Sequence, residues 1–480
     1  MDSGGGTRFD TSKNFFNVIN GKTRSSSRAS QGTNPSTMEQ LPDVPIASSL
    51  DLDEAVRGSR AAFAEWSTIP VERRKALVKS FADTLEAHCE PFAHLLTLEQ
   101  GKPLRFARAE INNGVFRART LCNLDLKEES RFEDEKRRAI LSYAPLGVCA
   151  LIVPWNFPIS LSTQKIASAL VTGNTIILKP SPFTPYCGLK LGELAQQIFP
   201  PGVFQVLNGD HELGPWITAH PGIDKISFTG SIPTGKKVME SASRTLKRVT
   251  LELGGNDPCI ICDDVDIEET VAKVAIISLL NSGQICIAVK RIYVQENVYD
   301  RFLDAFVNYV KALKLGDGFE EGVFIGPLQN EQQYEIAKRF LSDIESQNLK
   351  VALGGSVNVI GTGLFITPTV VDRPPDTSDL VKEEPFAPII PLLSWKNEEE
   401  VVSRANETKT GLGGSVWSKD IARATRIARK LQVGTTWINE HGALDPRVPF
   451  SGLKESGYGT ELGLEGLKAF CNSKVIFIPK

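Results

Sequence analysis

Cys286 lies in Asn281-Ser282-Gly283-Gln284-Ile285-Cys286-Ile287, just after an apolar, helix-like run from Val271 to Leu280. A lone cysteine is by default a buried packing residue. A free thiol, with a pKa of about 8.5, is mostly protonated at neutral pH and needs help to act as a nucleophile. Glu252, in Leu251-Glu252-Leu253-Gly254-Gly255-Asn256, closes an otherwise apolar strand and precedes two glycines. It is either a solvent-facing strand residue or a general base poised by desolvation. Asn156, in Pro154-Trp155-Asn156-Phe157-Pro158, follows another apolar strand. It is a turn residue or an amide donor aimed at an oxyanion. Lys179 ends a third strand, where ligands of doubly wound sheets lie, and is either solvated or a donor to ribose hydroxyls. Together these residues supply a thiol, a base, an oxyanion donor and a cofactor lysine, a coherent set for covalent chemistry on a carbonyl.

A further candidate is the turn Phe228-Thr229-Gly230-Ser231-Ile232-Pro233-Thr234-Gly235-Lys236-Lys237, between a strand and a helix. Its glycines allow backbone N–H groups to approach an anion at a helix N-terminus, although an empty βα turn has the same appearance. Lys237 stands where a nucleotide-triphosphate loop needs Ser or Thr, and no G-x-G-x-x-G fingerprint opens a helix. The five histidines show no metal-ligand spacing, and Cys259-x-x-Cys262 lacks a second half, so it is read as core packing and no metal is required.

These residues need a scaffold. From Gly147 the chain alternates apolar strands (148–153, 175–178, 203–207, 225–228, 248–253) with helices (159–171, 184–199, 212–219, 234–243). Continuously apolar strands between helices imply a parallel sheet covered on both faces. A second such series runs from about Asp266 to Trp437, and residues 52–116 have helical periodicity. Ser25 to Ser30 is read as a polar loop, and the charge-dense stretch Glu128–Arg138, leading to Ala144, as an exposed hairpin.

A chain of 480 residues is long enough for roughly two or three domains. With 54 basic and 57 acidic side chains it lacks the basic excess of a nucleic-acid or membrane-surface binder. No apolar run approaches the roughly 18 residues of a membrane span. Met1 to Gly6 holds no apolar signal segment, and eight sparse cysteines suit a reducing, cytoplasmic setting.

In order along the chain, PWNFP (154–158), LKPSPFTP (178–185), FTGS (228–231), LELGGN (251–256), GQIC (283–286), EEPFAP (383–388) and PFSGLKESGYG (449–459) resemble the NAD(P)-dependent aldehyde dehydrogenase superfamily, from about Phe16 to the end. The resemblance implies an α/β fold, with a Rossmann-like cofactor domain (1–126 and 146–252), an α/β catalytic domain (253–460) and a small β oligomerisation element (127–145 and 467–480). It makes Cys286 the nucleophile and Glu252 the base, with the Asn156 side chain and the Cys286 N–H as oxyanion hole. Lys179 would hold the adenosine ribose, Ser231 the pyrophosphate and Glu384 the nicotinamide ribose, with Phe386 packed nearby. Trp155, Ser181, Gly230 and Leu253 would complete the cofactor site. The implied reaction oxidises an aldehyde to an acid through a thiohemiacetal and a thioester, in a homodimer or homotetramer. A non-catalytic structural or binding relative and a thiol esterase are the competing readings.

The sequence departs from the family at several points. Pro182 replaces the glutamate that many NAD-preferring relatives place on the ribose, so NAD is expected with NADP left open. Asn472 stands where the pattern suggests a proton-relaying glutamate, so Glu252 is expected to work without one. Phe157, Leu161 and Gln164 share one helical face at i, i+4 and i+7, and Ile285 and Ile287 flank the nucleophile. Gln164 replaces the Arg of semialdehyde-specific relatives and the Trp of betaine-aldehyde ones, which favours a neutral aldehyde. Arg447 is the residue that could still attract a carboxylate.

Overall fold

In the computed structural model, residues 10–357 and 361–480 are described, so the reading of Met1 to Gly6 lies outside the described residues. The alternation after Gly147 becomes two large sheets. The first runs in the order Lys22–Arg24, Asn17–Ile19, Phe204–Val206, Thr175–Lys179, Val148–Ile152, Lys225–Thr229, Arg248–Glu252, Gly457–Tyr458. The five strands from Phe204–Val206 to Arg248–Glu252 are parallel. Val148–Ile152, Thr175–Lys179 and Lys225–Thr229 are buried throughout; the first two read as apolar runs, whereas the third alternates and buries its polar side chains on partners, Lys225 donating to Thr250 and Ser227 accepting from Lys165. Strand order reverses between Val148–Ile152 and Lys225–Thr229, and a crevice opens beyond the carboxyl ends at such a switch point.

The second sheet has the order Val351–Leu353, Thr369–Asp372, Ile389–Trp395, Val289–Gln295, Asp257–Ile261, Gly413–Trp417, Thr435–Ile438. All neighbours in it are parallel except the edge pair Val351–Leu353 with Thr369–Asp372. Gly457–Tyr458, from the chain that follows the second sheet, returns to the edge of the first and pairs antiparallel with Leu251 and Glu252. A Cβ on Gly457 would meet the Leu251 carbonyl at 2.6 Å, so only glycine allows that join.

The charged stretch is a hairpin, Glu129–Glu133 with Arg137–Pro145, and Cys471–Pro479 adds a third strand to it. The helical region before it is four helices, Ser49–Trp66, Val71–Ala87, Cys89–Gln100 and Leu104–Leu121. The first begins with a capping box between Ser48 and Asp51.

Three expectations need correction. Ala29–Thr33 is a strand paired with Gln40–Pro45, so the polar loop ends at Arg28. The helix expected over 184–199 spans Tyr186–Ala195; Thr184 and Pro185 form its approach and Gln196–Ile198 turn toward Pro200. Of the seven cysteines assigned to packing, five are buried, whereas Cys89 and Cys471 are partly exposed because each begins a surface element. Among the described residues, no helix is long and apolar enough to cross a membrane.

Candidate active site

The loop that carries Cys286 is built by clamping an unfavourable backbone from both sides. Helix Ile267–Leu279 starts on Asp266, whose carboxylate accepts from the Glu269 N–H at 3.0 Å. Beyond Leu280, Asn281, Ser282 and Gly283 all have positive φ, at 53°, 59° and 75°. Such conformations cost about 1 kcal/mol or more at a non-glycine residue and persist only where neighbours enforce them. Here the Ser282 hydroxyl donates to the Gly326 carbonyl at 2.8 Å and the Gln284 amide donates to the Asn281 carbonyl at 2.9 Å. The Gln329 N–H donates to Gln284 Oε1 at 2.9 Å. On the far side, Lys290 Nζ donates to the carbonyls of Ile285 and Cys286, each at 2.7 Å. A Cβ on Gly255 would lie 2.6 Å from the Cys286 carbonyl, so glycine lets the end of the first sheet approach this loop.

Asn156 is positioned as firmly. Its Nδ2 donates to the Gln284 carbonyl at 3.0 Å, and its own carbonyl accepts from Lys102 Nζ at 2.8 Å and Asn281 Nδ2 at 3.3 Å. Helix Pro158–Val171 begins two residues later with no cap from its own N-terminal side chain. Glu110, from helix Leu104–Leu121, accepts from the Ile159 and Ser160 N–H groups at 2.9 and 3.2 Å instead. Lys102 and Glu110 form a buried ion pair, which fixes Asn156 and the helix start together. An amide nitrogen has two hydrogens, so one remains for an oxyanion. Among the described residues, the Cys286 N–H donates to no acceptor and is the natural second donor. Asn156→Ala is expected to lower kcat by about 10²- to 10³-fold, the usual cost of one oxyanion donor. Labelling of Cys286 by a small alkylating agent at an unchanged rate would separate this loss from a disturbed thiol.

Glu252 is buried at the last position of its strand, opposite Thr229, and neither carboxylate oxygen has a hydrogen-bond partner. Burial, reinforced by the negative charge of Glu461, pushes its carboxyl up to about 8, against the pull of the Cys286 thiol and Lys165. Burial and the facing Glu252 push the Cys286 thiol well above its ordinary value, and Lys290 opposes them. The resting pair therefore keeps its protons, and each group depends on the other to lose one.

Glu461 corrects the expectation drawn from Asn472. Asn472 pairs with Ala144 in the three-stranded sheet and accepts from Arg248, so it has no part in the site. Glu461 instead lines the same cavity as Glu252, ion-paired with buried Lys165, whose Nζ also donates to Ser227 at 3.1 Å. A carboxylate at the base's side is thus present, supplied by another element. Lys165 had a legible signal, a single lysine in an apolar helix. Glu461, Lys102, Glu110 and Lys290 had none.

Cys286, Glu252 and Asn156 open onto a cavity of about 250 Å³. All five expected pocket residues, Phe157, Leu161, Gln164, Ile285 and Ile287, line it, joined by apolar Phe106, Ile277, Leu444 and Phe450. Arg447 does not; it is exposed and ion-paired with Asp445. The expected cofactor residues gather at the carboxyl ends of the first sheet. Trp155 and Phe386 meet edge to face with centroids 5.5 Å apart, and Glu384 pairs with Lys290 at 2.8 Å. Ser231 caps helix Ile232–Ser243, and the neighbouring Gly230 N–H donates to the Glu252 carbonyl at 3.1 Å. Leu253 packs on Gly235, where a Cβ would come within 2.6 Å of it. Ser181 is buried, its hydroxyl accepting from the Phe183 N–H at 3.2 Å. Lys179 is buried with one acceptor, the Pro180 carbonyl at 3.3 Å, and burial lowers its ammonium to about 8.

The profile of the aldehyde dehydrogenase family matches residues 22–476. Aldehyde dehydrogenase LUC3 of a Fusarium species is 41% identical, over 97% of this chain and 99% of its own length. A mitochondrial succinate-semialdehyde dehydrogenase of Oryza sativa is 36% identical, over 92% of this chain and 85% of its own. The structure of an aldehyde dehydrogenase from Bacillus cereus in complex with NAD+ superposes with a TM-score of 0.95, at 34% identity, covering 97% of each chain. With that profile across nearly its whole length and these relatives, the chain belongs to the aldehyde dehydrogenase family and oxidises aldehydes.

Proposed function

We propose that the enzyme oxidises its aldehyde to a carboxylic acid with Cys286 as nucleophile, Glu252 as base, and Asn156 with the Cys286 N–H as oxyanion hole. The carrying observation is the mutual burial of the Cys286 thiol and the Glu252 carboxyl in one cavity with the Asn156 amide. In its ionised form Glu252 accepts the thiol proton as sulfur bonds to the carbonyl carbon, and the two donors hold the oxygen of the thiohemiacetal. After oxidation leaves a thioester on Cys286, Glu252 releases the thiol proton to solvent and then draws a proton from water; the attack releases the acid, and that second proton returns to the departing sulfur to restore the thiol. Lys165 and Glu461 supply the adjoining polar path.

The residues present suit a dinucleotide. The Lys179 amino group is buried with a single long contact, and the enclosed Thr229 hydroxyl has no partner, so both await a polar ligand. Lys179, Ser181, Gly230, Ser231 and Leu253 would hold the adenosine and phosphate parts, and Trp155, Glu384 and Phe386 the nicotinamide part. When bound, the dinucleotide supplies the hydride acceptor. NAD is the proposed cofactor, with NADP as the alternative; the Bacillus cereus relative was solved with NAD+.

The proposed domains are 1–126 with 146–252 for cofactor, 253–460 for catalysis, and 127–145 with 467–480 for oligomerisation. Exposed Val475 and Phe477 on the Cys471–Pro479 strand support a homodimer or homotetramer. Eight free thiols among the described residues support a cytoplasmic setting. The test is a panel of aldehydes with NAD and with NADP. Reduced cofactor with at least one aldehyde is expected. None with any would favour a non-catalytic binding protein, and ester cleavage without it a thiol esterase.

A further inference from the structure

We propose that Arg117 selects the substrate, and that the aldehyde carries a second, remote carboxylate that pairs with its guanidinium. This rests on the aldehyde-oxidising reading of the same cavity and goes beyond it in naming the substrate class.

The argument starts from charge matching. Three lysines around the site each have a carboxylate partner: Lys102 has Glu110, Lys165 has Glu461 and Lys290 has Glu384. Arg117 lines the cavity and, among the described residues, has no ion pair. Its hydrogen-bond partner is the neutral Oε1 of Gln164, and its Nε is enclosed with no acceptor at all. Glu461 acts on it electrostatically, yet that carboxylate is already committed to Lys165 and to Gln164 Nε2 at 2.6 Å. Burial disfavours the charge on Arg117, and a guanidinium cannot relieve the cost by losing its proton. A half-buried cation with an enclosed, unused donor, on the wall of a substrate cavity, is a site that lacks its anion.

Its placement is built. Helix Leu104–Leu121 crosses Pro158–Val171 closely at Gly114, where a Cβ would come within 2.6 Å of the Thr163 hydroxyl. Arg117, one turn further on, is thereby brought against Gln164. Gln164 lies seven residues beyond Phe157, so about 10 Å of helix separates this end from the Asn156 end. The intervening wall is apolar, with Phe157, Leu161 and Ile285 suited to a hydrocarbon spacer. The expectation of a neutral aldehyde rested on Gln164 and on apolar Ile285 and Ile287; Arg117 arrives from a different helix and argues for a charged substrate instead.

The test uses the full-length enzyme and aldehydes of increasing chain length, each as the terminal carboxylic acid and as its methyl ester. Wild type is expected to favour the acid in kcat/KM by about 10- to 100-fold at the best length, the range for a charged hydrogen bond. In Arg117→Met the acid-to-ester ratio should collapse, mainly through KM for the acid, and Arg117→Lys should restore part of it. A wild-type ratio at or below one, or a ratio that survives in Arg117→Met, overturns the proposal while leaving aldehyde oxidation intact. Should the variants not fold, wild-type inhibition decides: dicarboxylates should compete with aldehyde better than monocarboxylates of equal length, and equal inhibition counts against Arg117. Failure of every aldehyde, neutral or acidic, would instead remove the reaction on which this inference rests.

Discussion

Cys286→Ala is expected to lower aldehyde oxidation by roughly 10⁴-fold or more, since removing the atom that forms the covalent bond leaves only binding and the oxyanion donors. The thiol faces the cavity, and the loop that carries it is held by Lys290, Ser282 and Gln284 through backbone carbonyls and amides. None of those bonds uses the Cys286 sulfur, so the variant should keep its fold and its affinity for the dinucleotide. Steady-state rates, with calorimetric titration of cofactor into both proteins, check the two halves. Turnover that survives would sink the assignment of the nucleophile; loss of cofactor binding would show that the substitution reached beyond the thiol.

Glu252→Gln should produce the second large effect. The thioester can form and then waits for a base, so reduced cofactor should appear as a burst of about one equivalent, followed by turnover slowed about 10²- to 10⁴-fold. Equal burst and steady rates would contradict a role in hydrolysis, and loss of both phases would assign Glu252 to deprotonating the thiol. The pH dependence follows from its carboxyl at about 8. A raised pKa means that the base form is the minority at pH 7, about one molecule in ten. The wild-type hydrolytic rate should therefore rise as pH passes upward through about 8, and the glutamine variant should lose that limb. Burial and then Glu461 are the largest raising causes, with Glu384 adding to them, so Glu461→Gln should move the limb to lower pH. Stopped-flow measurement of the burst across pH separates these outcomes.

How much of this was legible in the chain depends on whether the signal was local. Cys286, Glu252, Asn156 and Lys179 each sit at the end of an apolar segment, where a polar residue is conspicuous within its own stretch of sequence. The same holds for the parallel strands, whose burial on both faces leaves continuous apolar runs, and for the hairpin, whose charge density marks its exposure. The start of Tyr186–Ala195 escaped because distant Glu99 accepts from the Tyr186 and Cys187 N–H groups, and the strand Ala29–Thr33 because its polar residues concealed a local pairing with Gln40–Pro45.

By itself, then, the sequence determined the alternating α/β architecture, the strand-end placement of the reactive groups and, through its ordered motifs, the chemistry they perform. Only the tertiary structure decided which charges meet. Glu461 stands 209 residues from Glu252, and Arg117 stands 47 from Gln164, yet each pair borders one cavity. Strand pairing at Gly457 and helix crossing at Gly114 bring them there, both through close backbone approach. Electrostatic interaction in a buried site depends on distance through space and on exclusion of water, and neither is encoded in spacing along the chain. For that reason the reaction could be read from local patterns, whereas the electrostatics of the base and the selection of the substrate emerge only when helices and sheets pack.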